Sequence, residues 1–131
     1  MQHDLSLEIR RFRNVLKACD IHLEKDEIIA AEKLLVDCID EYNNKQPIKT
    51  STDGRKYEPV LINLTSYKRQ YVAVKNNKGE KEVWINCFKN SFDRDWKKEI
   101  ISARGGGNGF FNLKVNLSKK KYYDFSVNSL K

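Results

Sequence analysis

Tyr67–Phe88 reads YKRQYVAVKNNKGEKEVWINCF, two runs of strand-forming residues on either side of Asn76-Asn77-Lys78-Gly79. Such runs joined by a short glycine-containing loop make a β-hairpin. The hairpin lies in mid-chain and more sheet-forming sequence follows it, so a sheet must be built around this ribbon. In the first arm Tyr67, Arg69, Tyr71 and Ala73 share one face, and Lys68, Gln70, Val72 and Val74 the other. In the second arm Val83, Ile85 and Cys87 oppose Trp84, Asn86 and Phe88. Both faces of that arm are largely apolar, so it is expected to be central in its sheet and covered on both sides, by helix on one and by something else, a partner included, on the other.

The segments on either side complete the architecture. Leu5, Ile9, Phe12, Leu16 and Cys19 recur at three- and four-residue spacing, the stripe of an amphipathic helix. A break follows at Asp20–Asp26, where Asp26 can cap a second helix and Glu27 can sit in its first turn. Ile28, Ala31, Leu35, Cys38 and Tyr42, widened by Leu34 and Ile39, form that helix's stripe, and Asn43–Pro47 stops it. Residues 47–59, with both prolines and Asp53-Gly54, read as a linker, and Val60–Leu64 as a short strand. Beyond the hairpin, Ser91–Lys98 reads as a helical turn and Glu99–Ala103 as a strand. Phe110–Leu117 alternates strictly, with Phe111, Leu113, Val115 and Leu117 inside, and Tyr122–Val127 closes a meander. The expected fold is a single α+β domain over 1–131. A helical hairpin (1–46) packs on a four- to five-stranded antiparallel sheet (60–128).

At 131 residues the chain can bury one modest core. The net charge of +7 is uneven. Residues 1–46 hold seven Lys and Arg against ten Asp and Glu, a net of −3, and residues 47–131 hold eighteen against eight, a net of +10. The basic β half therefore suits an anionic partner, either a protein with an acidic surface or nucleic acid. No apolar run approaches the ~20 residues a spanning helix needs, so no membrane insertion is expected. The N-terminus lacks a signal-type apolar core, and a cytoplasmic location is expected.

Chemistry-bearing motifs are few. Cys19, Cys38 and Cys87 form no CxxC pair, and His3 and His22 have no ligand spacing to them, so neither a metal site nor a cofactor is expected. Gly105–Gly109 precedes a strand rather than a helix and lacks Lys-Ser/Thr. It reads as a loop needing positive φ or close backbone approach rather than a phosphate cradle, with Arg104 the nearby cation. No Ser/His or Cys/His set emerges, and the expectation is a protein that is not an enzyme. Aromatics among basic residues stand out instead. Tyr67, Arg69 and Tyr71, with Lys119-Lys120-Lys121 and Tyr122-Tyr123 as a second patch, could hold a single nucleic-acid strand by stacking and charge.

Tyr67-Lys68-Arg69-Gln70-Tyr71, Val83–Phe88, Trp96, Gly105-Gly106-Gly107 with Phe110-Phe111, and Val127-Asn128 resemble a family of small Bacteroidetes-type bacterial proteins. The resemblance covers about residues 27–128 and leaves the Leu5–Cys19 helix outside. It implies a cystatin- or NTF2-like arrangement, a curved antiparallel sheet wrapped on helix, and transfers no catalytic residues. Many such proteins carry a leader, which this sequence does not show. The expected function is a non-enzymatic protein-binding module, in concrete form an immunity protein or inhibitor that occludes a bacterial toxin or enzyme. Its expected partner-binding residues are Tyr67, Arg69, Tyr71, Trp84, Asn86, Arg104, Lys119, Lys120 and Tyr122, because aromatic and Arg anchors dominate interfaces. The alternative is single-stranded nucleic-acid binding through the same basic, aromatic-bearing sheet.

Overall fold

A computed structural model of the chain describes residues 22–58, 61–96, 99–102 and 107–128. The expected Leu5–Cys19 helix, and Arg104 with Gly105 and Gly106, lie outside the described residues. One α-helix (α1, Lys25–Asn44) is followed by a two-residue hairpin (β1, Lys49–Thr50; β2, Lys56–Tyr57) and then four strands: β3 (Lys68–Lys75), β4 (Lys81–Phe88), β5 (Phe110–Asn116) and β6 (Lys121–Val127). The four pair antiparallel in sequential order, β3-β4-β5-β6. The α+β class stands, with a four-stranded meander.

The helix begins just before the expected Asp26 cap. Glu24 occupies the N-cap position, and its N–H donates to Glu27 Oε1 at 2.9 Å. Asp26 and Glu27 lie in the first turn, where the helix dipole favours acids. Ile28, Ala31, Leu35, Cys38 and Ile39 are buried, the predicted stripe. The expected linker holds the short β1–β2 ribbon, turned through Gly54 at φ 85°, a left-handed conformation that glycine adopts without strain. The expected strand at Val60–Leu64 is absent from its described part. Leu64–Ser66 forms a 3₁₀ turn, and Ile62 is held to the helix by a reciprocal pair of bonds with the Asn43 amide, both 2.9 Å.

The hairpin is as read. Gly79 N–H donates to Asn76 O, and Asn76 Oδ1 accepts from Lys78 and Glu80 N–H, each at 3.0 Å. The register places Tyr71 opposite Ile85 and Val72 opposite Trp84. One sheet face carries Tyr71, Ala73, Val83, Ile85, Cys87, Phe111, Leu113 and Val115, and with the helix stripe it forms the core. Edge-to-face ring pairs run from helix to sheet: Tyr42 to Phe125 (5.3 Å), Phe125 to Phe111 (5.8 Å) and Phe111 to Tyr67 (5.0 Å).

The two elements expected between β4 and β5 do not form in their described residues. Phe92 and Asp93 have φ of 53° and 61°, outside a helical turn, and Glu99–Ser102 is not strand. This connection instead folds back on the far sheet face. Trp96 packs edge-on to Phe88 at 5.9 Å, and Phe92 stacks on Phe110 at 5.6 Å. Strand pairing lost out because Gln70 and Asn86, on that face, capture the connection's main-chain groups.

Candidate functional site

The far face is built as four rows, since residues directly opposite across an antiparallel pair share a face. The register gives Lys68–Phe88–Phe110, Gln70–Asn86–Asn112–Ser126, Val72–Trp84–Lys114–Tyr123 and Val74–Glu82–Asn116–Lys121. The first row lies under the aromatic residues of the β4–β5 connection. The second is clamped. Gln70 Nε2 donates to the carbonyls of Trp96 and Glu99, each at 2.6 Å, and Gln70 Oε1 accepts from Asn86 Nδ2 at 3.0 Å and from Ile101 N–H at 3.1 Å. Asn86 Nδ2 also donates to Ile101 O at 2.7 Å. Because both amide nitrogens face carbonyl oxygens, the orientation of both side chains is fixed.

The third and fourth rows are partly covered: Val72 and Asn116 are buried, and the other side chains reach solvent. Val74 and Tyr123 are 38% and 39% exposed, and Trp84 between them is half-buried. Lys114 lies over the Tyr123 ring at 5.9 Å and 3.3 Å from Asp124 Oδ2. The Tyr123 hydroxyl donates to Glu82, which raises the phenol's pKa to about 12. Lys68, Lys114 and Lys121 are exposed around these rows, with Glu82 and Asp124 the acids among them.

The predicted site residues divide among three places. Tyr67, Arg69 and Tyr71 are 4%, 9% and 3% exposed on the helix side. They are core residues, which corrects the expectation that they anchor a partner. Alternation put them on one face as read, but that face is the one under the helix. Arg69 Nε lies 2.7 Å from Glu32 Oε1, off the N–H direction, so the contact is ionic. One of its terminal nitrogens donates to Tyr67 O at 3.1 Å and Leu64 O at 3.3 Å. The Tyr71 hydroxyl donates to the same Glu32 oxygen. Tyr122 also lies on the helix side and donates to Glu41. Lys119 and Lys120 sit in the β5–β6 turn, at one end of the sheet. Of the eight that are described, only Trp84 and Asn86 fall on the far face. Val74, Lys114 and Tyr123 are their solvent-facing neighbours; Tyr123 was read only as part of the Lys119–Tyr123 patch, and Val74 and Lys114 were missed, because the partner of each row is set by register and not by spacing along the chain.

A larger cleft of about 440 Å³ opens at the turn end of the sheet, between Asn76, Glu80, Glu82, Asn116 and Lys119. Its carboxylates are already engaged. Asn76 Nδ2 donates to Glu80 at 3.0 Å and to Glu82 at 2.8 Å, and Lys119 Nζ is 3.9 Å from Glu80. Hydrogen bonding from Asn76 holds the Glu80 carboxyl below its ordinary pKa even against desolvation. These groups brace two turns against each other. Among the described residues no cluster of three His, Cys, Asp or Glu can hold a metal, and no helix is long and apolar enough to cross a membrane. Cys38 and Cys87 are free and buried, and burial pushes the Cys38 thiol up to about 12, far from a nucleophile's range. No protein-family model matches the chain, and neither a curated protein nor a solved structure matches it.

Proposed function

We infer that the protein is a non-enzymatic binding module whose partner is another protein, docked on the solvent-facing part of the far sheet face. The observation that supports this is the group Val74, Trp84, Lys114 and Tyr123, neighbours on the third and fourth rows that reach solvent beside buried Val72 and the clamped Gln70 and Asn86. Adjacent apolar and aromatic side chains on an open surface mark interaction sites, whereas scattered ones do not. Two rows across four strands span on the order of 200–300 Å², using a strand separation of ~4.8 Å and a row separation of ~7 Å. That is the core of a standard interface, about 800 Å² per partner, so the rim must contribute the rest. Lysines at that rim suit an acidic target. Steric occlusion by such a face is the mechanism of an immunity protein or inhibitor, and a helix across one face of a four-stranded sheet agrees with a cystatin- or NTF2-like arrangement. The nucleic-acid reading loses its stacking residues Tyr67 and Tyr71 to the core, and the Arg69 charge to Glu32.

The test is capture from the native host with the full chain and with Trp84→Ser plus Tyr123→Ser as paired baits. A stoichiometric partner held by the first and lost by the second is expected, with both baits showing the same cooperative unfolding. Equal recovery by both baits refutes the assignment. Binding of oligothymidylate with a steep salt dependence would favour nucleic acid instead.

A further inference from the structure

The Asn86 side chain is 94% buried, since its exposure is 6%, yet it spends only its nitrogen on the clamp. Among the described residues no donor reaches its Oδ1. Beside it lies a pocket of about 80 Å³, lined by Trp84, Asn86, Ile101, Ser102, Phe110 and Asn112 among others. With Asn86 Nδ2 turned to Gln70 and Ile101, Oδ1 is the polar atom Asn86 has left for this pocket. This oxygen is not sealed off, so it is open to a donor within the pocket.

Three properties of the pocket define what fits. Among the described residues no charged side chain lines it, so none of them compensates an anion or a cation there. Its volume is far below the ~300–1,000 Å³ of sites that take a drug-sized ligand, yet several times the ~10–15 Å³ that admits one water. Its polar groups include a fixed acceptor, Asn86 Oδ1, and the side-chain amide of half-buried Asn112, which no hydrogen bond among the described residues uses. The Trp84 indole forms a wall and continues into the open row. We propose that this pocket receives one neutral, hydrogen-bond-donating side chain of the protein partner, a carboxamide of Asn or Gln, while the residues beside it lie on Trp84. The carboxamide N–H donates to Asn86 Oδ1 and its carbonyl accepts from the Asn112 amide. This rests on the far-face reading and gives it a specificity point.

The experiment selects displayed random peptides on the full chain and measures their affinities for it and its variants. Enrichment of Asn or Gln at one position next to an apolar or aromatic residue is expected. Trp84→Ala should weaken those peptides at least about 30-fold, the scale of an interface anchor. Asn112→Asp breaks no internal hydrogen bond, so its fold is kept. It should weaken carboxamide peptides about tenfold and shift selection toward Lys or Arg at the same position. Near-ultraviolet circular dichroism and urea unfolding establish that each variant is folded, and Trp84→Phe, which keeps the packing, should lose less. Peptides that need Trp84 but ignore Asn112→Asp, or that carry a charged residue at the anchor position, overturn the pocket assignment and leave the face standing. Absence of any Trp84-dependent peptide overturns the face as well. Displacement of the peptides by methyl α-glucoside would make the pocket a sugar subsite and also overturn the proposal.

Discussion

Replacing Glu32 with Ala should be among the most costly single changes in the helix. The Arg69 and Glu32 side chains are 10% and 19% exposed and join β3 to α1. Without the carboxylate, the guanidinium keeps its two carbonyl acceptors but loses its only anion within salt-bridge distance among the described residues. Breaking a buried pair by removing one partner costs about 3–5 kcal/mol. Partial exposure of Glu32 lets water offset some of that, and the Tyr71 hydroxyl loses an acceptor worth roughly 1 kcal/mol. The expected loss is about 3 kcal/mol. With a urea m-value of about 1.5 kcal/mol/M, the unfolding midpoint should fall by about 2 M. Glu32→Leu combined with Arg69→Met removes both charges and should lie within about 1.5 kcal/mol of the parent, since apolar replacements of a buried pair are often neutral. Urea titration followed by fluorescence measures both. A loss under about 1 kcal/mol for the single change, or a double change as costly as the two singles summed, would show that the pair is effectively solvated.

Three further outcomes are expected. Gln70→Ala removes four clamp bonds, so limited proteolysis should cut within 89–102 at least tenfold faster, while the helix signal in circular dichroism stays unchanged. Burial raises the Tyr67 pKa to about 12, and hydrogen bonds to Glu41 and Glu82 do the same for Tyr122 and Tyr123. A folded-state pKa above the unfolded ~10 stabilises fully below pH 10 and is lost as pH rises through 12. Absorbance titration should therefore show at least three of the six tyrosines ionising near pH 12, with stability falling from pH 10 upward. Cys38 and Cys87 should resist iodoacetamide at pH 8 until denaturant is added, as read by mass spectrometry of the alkylated peptides.

Periodicity alone reached the helix stripe, the hairpin turn and the alternation of β5, because each is a local pattern repeated several times. Tyr67, Arg69 and Tyr71 were correctly placed on one face, but which face meets the helix depends on the whole sheet. Alternating aromatic and cationic residues suit an open platform and a buried ion-paired core equally well. Glu32 carries the missing information, thirty-seven positions from Arg69 and on another element. The connection between β4 and β5 misled for a different reason. Its Phe92 and Trp96 spacing is helical, yet its conformation is imposed by two amides, Gln70 and Asn86, on strands. Such polar captures leave no periodic trace. The pocket beside Trp84 arises where that connection meets the sheet, so no stretch of sequence contains it.

The Gln70–Asn86 clamp also decouples two parts of the molecule. Since side chains grip the connection, and no ladder of main-chain pairs does among its described residues, its length can vary without moving the strands it joins. Insertions there would redraw the rim of the exposed rows and leave the hydrophobic interior alone. A scaffold of this kind can change its clientele through one exchangeable segment, which makes residues 89–109 the place to graft when a different target is wanted.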